Sequence, residues 1–577
     1  MSPISPQAER RRRIVTRLLP VLLIGIVSFV FGALVGGTSA SEEAASRFVD
    51  AWARDDFDAM HDELAEDAAA RYPVDEFTGM YEDAERTATL ASIEAGDPEG
   101  SAGDTITVPI AARTHAFGEV RSTLVLPMDG DRVAWEPHLV FPGLAEGEHL
   151  ARSTRVPKRA PILARDGTPL AEGPAATRSS PLGAAATNVA GEVGVPKGEE
   201  EAELEGRGFP PGSFAGTSGL EKAFNTRLAG QPGGELTAAS GGKGSDQGRV
   251  LVRTEPRTGE RVRTTIDPDL QEATVTALGN AFGGVAVLDA KDGSVLGVSG
   301  LAFSAPQPPG SSFKVVTTVA ALEENVVKLS DSFPVETSHV VGGREIPNAH
   351  DEACGGTFAQ SFAHSCNTVF APLGPEIGND KLVATAERFG FNSPPPLYDA
   401  EATAVIDSKQ STIPTSIGTD LDLGVTAIGQ GEVLATPLEM ASVSQTIAAG
   451  GVRSPTPIVT ERSLRPEARP VKVTSGEIAA TVRDLMVGVV TDGTGTAAAI
   501  PGVEVAGKTG TAEIGPAPLT AEDDQGGQAE QQVDAWFTAF APAKNPQLAV
   551  AVMVVNADGD GGTVAAPIAR EVLTAGL

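Results

Sequence analysis

Two residues near the middle of the chain have the types and the spacing of an activated nucleophile. Ser311 and Lys314 form a Ser-x-x-Lys motif at the start of an apolar stretch, 315–322. If that stretch is a helix, a serine and a lysine three residues apart share one face, so the amine can take the hydroxyl proton. The helix N-terminus would favour the negative charge that develops during attack. The pair therefore predicts covalent catalysis by a serine.

The Ser-x-x-Lys pattern alone is weak evidence, because this chain contains it twice. Ser240 and Lys243 also match it, in a glycine-rich stretch that predicts no helix to hold them. An ordinary helix start with a solvated lysine is the alternative for Ser311. The position of Ser311 before a predicted apolar helix favours it over Ser240. Further motifs are needed to decide whether Ser311 is the nucleophile.

A second motif, Ser-x-Asn, stands at Ser365 and Asn367. With the outer residues facing one way, a hydroxyl and an amide can point into one cleft while Cys366 points away. Polar turns of three residues are common, so this motif is also weak by itself.

A third motif, Lys508-Thr509-Gly510-Thr511, follows the alternating stretch 503–506 and is predicted to lie on an edge strand. Lys508 would hold a carboxylate or tune the neighbouring serines, while Thr509 and Thr511 would hydrogen-bond the substrate. Gly510 would let the backbone approach the substrate. A simple polar turn is the alternative.

The order of the three motifs is more specific than any one of them. They lie 54 residues (365 − 311) and 143 residues (508 − 365) apart. This order resembles the signature of penicillin-binding proteins and serine β-lactamases. Further stretches that match the transpeptidase family stand at 264–271, 284–289, 427–432, 436–438 and 534–542. The chain resembles a class B penicillin-binding protein, which is a monofunctional transpeptidase.

The resemblance implies a role for each motif residue. Ser311 would be acylated, Lys314 would be its general base, and Ser365 would return the proton to the leaving amine. Asn367 would bind a substrate amide and Lys508 would support Ser365. The terminal carboxylate would fall to Thr509 or Thr511, and the oxyanion hole to the backbone N–H groups of Ser311 and Thr511.

The implied activity is D,D-transpeptidation of peptidoglycan stem peptides. Ser311 would attack the D-Ala-D-Ala carbonyl, an amine of a neighbouring stem would resolve the acyl-enzyme, and β-lactams would acylate the same serine. Hydrolysis at this site, by a carboxypeptidase or β-lactamase, stays open, as does a cell-wall assembly scaffold or β-lactam sensor. Residues 41–150 contain no motif of a glycosyltransferase. No cofactor is predicted.

The segments that must position these motifs predict a multidomain α+β protein. Residues 251–577 would form the transpeptidase domain, a serine β-lactamase-like α/β domain whose antiparallel sheet is assembled from strands near both ends. Residues 151–250 are poor in large apolar side chains and are expected to bury little. Their segments 158–171 and 216–234 resemble the extended linker, or dimerisation, module of class B proteins. Residues 41–150, helical and then strand-like, resemble the NTF2-like cone of methicillin-resistance-type proteins.

Charge and hydropathy predict a membrane anchor. Residues 1–17 form a basic tail with five arginines, and residues 18–36 follow without a charge. At about 1.5 Å per residue, such a helix spans the roughly 30 Å hydrocarbon layer. The arginines before it predict a cytoplasmic N-terminus and a catalytic domain outside the cell membrane. A signal peptide cleaved near Ala40 is the alternative.

The overall charge restricts the partners. Acidic residues outnumber basic ones by 76 to 44, a net charge of −32, which argues against a nucleic acid because phosphates need a basic surface. The resemblance implies cell-wall assembly proteins in the membrane as partners instead.

The chain has two cysteines, Cys354 and Cys366, which could form a disulfide or remain free thiols. Disulfides persist in the compartment outside the cytoplasm. His350 and His364 lie close by, but their spacing from the cysteines is not a recognised zinc pattern, so no metal site is predicted.

Overall fold

The computed structural model describes residues 39–100, 104–241, 248–398, 408–513 and 532–577. The predicted basic tail and transmembrane segment, 1–17 and 18–36, lie outside the described residues. Within the described ranges, no helix is long and apolar enough to cross a membrane.

The described residues form two compact units. Unit 1 comprises the described residues up to Val156 together with Glu205–Pro210 and Pro232–Pro256. Unit 2 comprises those of Pro157–Leu204, Pro211–Gln231 and Arg257–Leu577. The predicted multidomain α+β architecture is confirmed.

Unit 1 begins with helices, as the sequence predicts. The first, α1 (Ala40–Trp52), starts with a capping box in which the Ser39 hydroxyl accepts from the Glu42 N–H and the Glu42 carboxylate accepts from the Ser39 N–H. It buries Phe48 and Trp52 against the rest of the unit. The helices that follow are α2 (Phe57–Asp62), α3 (Glu66–Arg71) and α4 (Val74–Ala88).

An antiparallel sheet in the order β1-β3-β4-β5 packs against these helices, with a short strand, β2, paired to β3. Alternate residues of β3 are buried, as expected of a sheet with one face on the core. The strands are β1 (Leu90–Ala95), β2 (Glu99–Gly100), β3 (Thr105–Thr114), β4 (Gly118–Asp129) and β5 (Arg132–Val133).

A second sheet of unit 1, in the order β12-β11-β6, contains strands from distant parts of the chain: β6 (Glu148–Arg155), β11 (Gly233–Ser240) and β12 (Gly248–Thr254). The expectation that this stretch buries little is wrong for β11. Its Gly233, Leu236 and Ala239 are buried, because glycine and alanine fit between closely paired strands. Ser240, the first residue of the second Ser-x-x-Lys motif, is the last residue of this strand.

The two segments that resemble the linker module are joined in unit 2 by a buried ion network. The Glu221 carboxylate accepts from Arg159 Nε and Arg178 Nε, each at 2.7 Å. Both arginines also donate to backbone carbonyls. The other α-helices and strands between residues 157 and 263, apart from β11 and β12, are α5 (Ala184–Ala190), α6 (Glu199–Gly206), α7 (Gly219–Ala223), α8 (Asn225–Ala229), β7 (Ile162–Leu163), β8 (Pro169–Ala171), β9 (Val193–Gly194), β10 (Ala215–Gly216) and β13 (Val262–Arg263).

The main sheet of unit 2 has five antiparallel strands in the order β15-β14-β24-β23-β22. It unites strands near both ends of the predicted domain, as expected, and β22 lies at its edge. The strands are β14 (Gly283–Asp289), β15 (Val295–Gly300), β22 (Ala506–Glu513), β23 (Val533–Ala541) and β24 (Leu548–Ala557).

Helices cover both faces of this sheet. Val285 and Val287 of β14 pack in one core cluster with α9 (Pro268–Leu278) and α17 (Ala566–Gly576), while Ala286 and Leu288 pack in another with α15 (Pro437–Ala448). The remaining helices are α10 (Lys314–Glu323), α11 (Phe358–Ala363), α12 (Asn367–Ile377), α13 (Asn379–Phe389), α14 (Asp420–Ala427) and α16 (Gly476–Thr491).

The described part of unit 2 also has four two-stranded sheets, which pair β9 with β10, β16 with β19, β17 with β18, and β20 with β21. Besides β9 and β10, their strands are β16 (Ser332–Glu336), β17 (Ser338–Val341), β18 (Arg344–Pro347), β19 (Cys354–Thr357), β20 (Val452–Arg453) and β21 (Val471–Lys472).

Candidate active site

Ser311 lies in a 3-10 turn, Gly310–Phe313, that leads directly into α10. Its side chain is therefore at the N-terminal end of a helix, as the sequence predicts. The Ser311 hydroxyl forms no hydrogen bond with any residue that the structure describes. It is thus available to a substrate, and its contact with a base can tighten when one binds.

The Lys314 amine is buried beneath the Ser311 turn. Its Nζ donates to Ser365 O at 2.7 Å and to Asn367 Oδ1 at 2.8 Å, and lies 3.2 Å from Ser365 Oγ. Burial, and next the charge of Lys508, lower the pKa of Lys314 well below its usual range. A neutral amine satisfies the two shorter contacts with its two protons, which leaves a lone pair for a hydroxyl proton.

Ser365 occupies the turn between α11 and α12 with a positive φ of 61°. Its hydroxyl accepts a hydrogen bond from Lys508 Nζ at 2.9 Å and lies 3.2 Å from Lys314 Nζ. A hydroxyl in this position can exchange protons with one lysine while the other holds its oxygen in place.

Lys508 projects from the edge strand β22 and is fully buried. Besides Ser365 Oγ, its Nζ contacts Thr509 O at 3.0 Å. Burial lowers the pKa of Lys508 to about 7. Of the two roles predicted for Lys508, the geometry therefore favours tuning the serine over holding a carboxylate.

Asn367 begins α12, and both ends of its amide are engaged. Oδ1 accepts from Lys314 Nζ, and Nδ2 donates to Pro347 O at 3.0 Å. These two contacts fix which way the amide points.

The two threonines of the third motif also meet partners within unit 2. Thr509 Oγ1 lies 2.6 Å from Thr494 Oγ1, and Thr511 Oγ1 accepts a long bond, 3.4 Å, from Gly561 N. Gln430 Nε2 approaches Thr511 O at 3.4 Å. Thr494 was missed by sequence reasoning because it belongs to no motif, and only its place in a glycine- and threonine-rich loop before β22 signals it.

Gly510 permits a close approach, but to the chain itself. A Cβ on Gly510 would lie 2.5 Å from Pro309 O, in the segment that carries Ser311. Nearby, Gly310 N donates to Gly429 O at 2.9 Å, and a Cβ on Gly429 would lie 2.1 Å from Gly310 O. The start of the Gly429-Gln430-Gly431 segment, within the family-matching stretch 427–432, thus packs against the nucleophile turn.

Cys354 and Cys366 form a disulfide, with their Cα atoms 5.4 Å apart. Of the two alternatives left open, the structure contains the bonded one. Cys366, which stands between Ser365 and Asn367 in the sequence, is buried. The bond ties the Ser365 turn to β19.

Three families of known domains match the chain. The penicillin binding protein transpeptidase domain matches residues 283–574, the penicillin-binding protein dimerisation domain matches 171–264, and the NTF2-like N-terminal transpeptidase domain matches 40–148.

Curated relatives are about one-third identical to this chain over the residues that align. The peptidoglycan D,D-transpeptidase PbpA of Mycobacterium tuberculosis is 34% identical over 351 residues, 57% of this chain and 67% of that protein. PbpA of Mycolicibacterium smegmatis is 36% identical over 306 residues, 48% of this chain and 56% of that protein.

Solved structures share the fold. The D,D-transpeptidase domain of a peptidoglycan glycosyltransferase from Eggerthella lenta aligns with TM-score 0.56 and 28% identity, over 73% of this chain and 98% of that one. Penicillin binding protein 3 from Mycobacterium tuberculosis complexed with ampicillin aligns with TM-score 0.58 and 26% identity, over 73% of this chain and 95% of that one.

Proposed function

Because the chain belongs to the penicillin-binding protein transpeptidase family, we propose that it is a peptidoglycan D,D-transpeptidase that crosslinks stem peptides through an acyl-enzyme on Ser311. The observation that chiefly supports this is the Ser365 hydroxyl, held between Lys314 and Lys508 beside the Ser311 turn. β-Lactams acylate the same serine, in keeping with the ampicillin complex of the relative.

Acylation begins with attack of Ser311 Oγ on the carbonyl carbon between the two D-alanines. As the new C–O bond forms, the hydroxyl proton passes to the neutral amine of Lys314, which its lowered pKa keeps available. The backbone N–H groups of Ser311 and Thr511 bind the oxyanion. This role fits their placement, because a Cβ on Gly310 would lie only 2.5 Å from Thr511 O.

The C–N bond then breaks, and the departing nitrogen takes the proton of the Ser365 hydroxyl. Lys314 returns its extra proton to Ser365, while the Lys508 amine holds the Ser365 oxygen. D-Alanine leaves as a neutral amine, and Ser311 carries the stem peptide as an ester. An amine of a neighbouring stem attacks this ester through the same relay in reverse, which forms the crosslink and frees Ser311.

The substrate lies along β22. An edge strand presents unpaired backbone groups to an extended peptide, and Thr509 and Thr511 supply hydroxyls for the terminal carboxylate. Asn367 binds an amide of the stem peptide through exchange of its present contacts.

We further propose that residues 18–36 anchor the protein in the cell membrane, with residues 1–17 in the cytoplasm and the units outside. The supports are the uncharged run behind five arginines and the disulfide of the site. Membrane proteins of cell-wall assembly are the proposed partners, and 41–150, 151–250 and 251–577 remain the proposed domains.

Labelling of the full-length chain with a fluorescent penicillin tests the nucleophile. Label should be lost in Ser311→Ala and kept in Ser240→Ala, which removes the serine of the second Ser-x-x-Lys motif. Persistence of label in Ser311→Ala would overturn the assignment.

A donor stem pentapeptide with and without an acceptor amine tests the second half-reaction. Mass spectrometry should find a crosslinked product when the amine is present. Release of the hydrolysed tetrapeptide alone would make the enzyme a carboxypeptidase.

A further inference from the structure

Thr494 lies outside the three catalytic motifs, in the loop between α16 and β22. We propose that Thr494 is a positioning residue that directs the Thr509 hydroxyl toward the terminal carboxylate of the donor stem peptide. This inference rests on the proposed function, since it concerns recognition of the same substrate.

The loop is fixed to both walls of the site. Thr494 N donates to Ala363 O at 3.1 Å, at the end of the helix that precedes Ser365. A Cβ on Gly493 would lie 2.3 Å from the same oxygen, so the loop backbone packs directly on α11. On the other side, Thr494 Oγ1 lies 2.6 Å from Thr509 Oγ1 on β22. Thr494 therefore connects the end of α11, two residues before the second motif, to the third motif on β22.

The two threonines differ in exposure. Thr509 is only 5% exposed, whereas Thr494 is exposed. A buried hydroxyl is normally hydrogen-bonded to at least one partner. For the Thr509 hydroxyl, this partner is the hydroxyl of Thr494.

Each hydroxyl has one proton, so the short contact allows two arrangements. In one, Thr494 donates to Thr509, and the Thr509 proton remains free for a ligand. In the other, Thr509 donates to Thr494, whose proton is left with Ala363 O at a poor distance of 3.4 Å. A carboxylate can only accept hydrogen bonds, so its binding selects the first arrangement. The chain of donors from Thr494 through Thr509 then polarises the bond to the carboxylate.

A merely structural Thr494 would act differently. If its hydroxyl only held the loop, its loss would slow acylation by every ligand to the same extent. If it directs Thr509 toward a carboxylate, the loss is confined to ligands that carry one. The ligand's carboxylate therefore distinguishes the two roles.

The test compares acylation of the full-length chain by benzylpenicillin and by its methyl ester, followed by mass spectrometry. Thr494→Val keeps the shape of the side chain without the hydroxyl, Thr494→Ser restores the hydroxyl, and Thr496→Val is a matched change at an exposed threonine of the same loop. A charge-assisted hydrogen bond is worth about 1.5 kcal/mol or more. We therefore expect Thr494→Val to slow acylation by benzylpenicillin, the free acid, about tenfold. The rate of acylation by the methyl ester should stay within about twofold of the wild-type rate, because the neutral ester group lacks the charge that strengthens the hydrogen bond.

Thr494→Ser and Thr496→Val should react with both ligands as the wild type does. Equal slowing of acid and ester in Thr494→Val, or slowing of neither, would overturn the inference. Reaction with the ester also shows that the variant is folded.

A double-mutant cycle with Thr509→Val checks that Thr494 acts through Thr509. Once Thr509 has lost its hydroxyl, adding Thr494→Val should change the rate with the acid by less than about twofold. If the two substitutions instead slow acylation independently, so that their rate losses multiply in the double variant, the positioning role would be contradicted. A wild-type chain that neither ligand acylates would instead refute the proposed function, and with it this inference.

Discussion

Lys508 Nζ donates to Ser365 Oγ at 2.9 Å, which joins the edge strand of the main sheet to the turn between α11 and α12. The two residues are 143 positions apart in the chain (508 − 365). Their contact closes one side of a cluster whose other side is Lys314. The hydroxyl between two buried amines is the feature on which the relay depends.

Replacing Lys508 with methionine should slow acylation sharply. The variant keeps a long apolar side chain but loses the donor that holds Ser365 Oγ. Assisted proton transfer is worth about 10²- to 10⁴-fold, so we expect a loss of about 10²-fold in the rate of labelling by fluorescent penicillin. Lys291→Met, at an exposed turn, is the control and should label normally. Normal labelling of Lys508→Met would remove Lys508 from the relay.

Burial of Lys508 should make the stability of the protein depend on pH above neutrality. Its pKa falls from 10.5 to about 7 on folding, so between these values the unfolded chain binds more protons than the folded one. The free energy of unfolding therefore rises with pH through this window. This gain in the free energy of unfolding is complete above pH 10.5 and is lost as the pH falls toward 7.

Urea midpoints of wild type and Lys508→Met at pH 7, 8.5 and 10 would measure this dependence. As the pH rises, the urea midpoint of the wild type should increase relative to that of Lys508→Met. Comparison with the variant cancels titrations that Lys508 does not influence, including those of Glu439 and Asp534, whose pKa burial raises to about 7 and about 6. A difference that stays constant across the series would mean that Lys508 is not neutral in the folded protein.

Opening the disulfide should loosen the Ser365 turn. The bond closes a loop with a sequence separation of 12, for which the chain-entropy model gives about 3 kcal/mol. We expect reduction to slow penicillin labelling about fivefold, on the scale of a modest positional shift at a catalytic group. Reoxidation should restore the rate. Cys354→Ser should react like the reduced protein and should not respond to reductant; an unchanged rate in both would show that the turn holds without the bond.

Removing the carboxylate of Glu221 should destabilise unit 2. Glu221→Gln leaves the Arg159 and Arg178 side chains, 3% and 9% exposed, without their counter-charge. Breaking a buried ion pair on one side costs roughly 3–5 kcal/mol. Glu200→Gln, which breaks the exposed pair with Lys222, should cost less than about 1 kcal/mol. Urea unfolding measures both, and equal effects would contradict the importance of burial.

The sequence predicted the parts of the site that lie in motifs. Ser311 does lie in the turn that leads into a helix, Lys508 does lie on an edge strand, and the sheet does combine both ends of its domain. These features follow from local periodicity and from the order of the motifs. The hydrogen bonds among the motif residues could not be read from spacing, because loop length does not fix distance in space.

Other features depend on pairing between distant segments, which local composition does not encode. Strand β11 joins unit 1 because its small residues fit against β6 and β12, although a stretch poor in large apolar side chains was expected to bury little. Thr494 could not be predicted for a similar reason. Its importance comes from the residue it faces across the loop, and its own neighbours in sequence carry no catalytic motif.

The contact between Gly310 and Gly429 limits how this enzyme could evolve under antibiotic pressure. Both residues have positive φ, and a Cβ on either would collide with a backbone oxygen beneath the nucleophile. A substitution at either position should therefore disrupt the floor of the site and slow acylation by the stem peptide and by β-lactams together. A change that lowers reaction with β-lactams but spares the stem peptide is therefore expected at side chains outside this backbone contact.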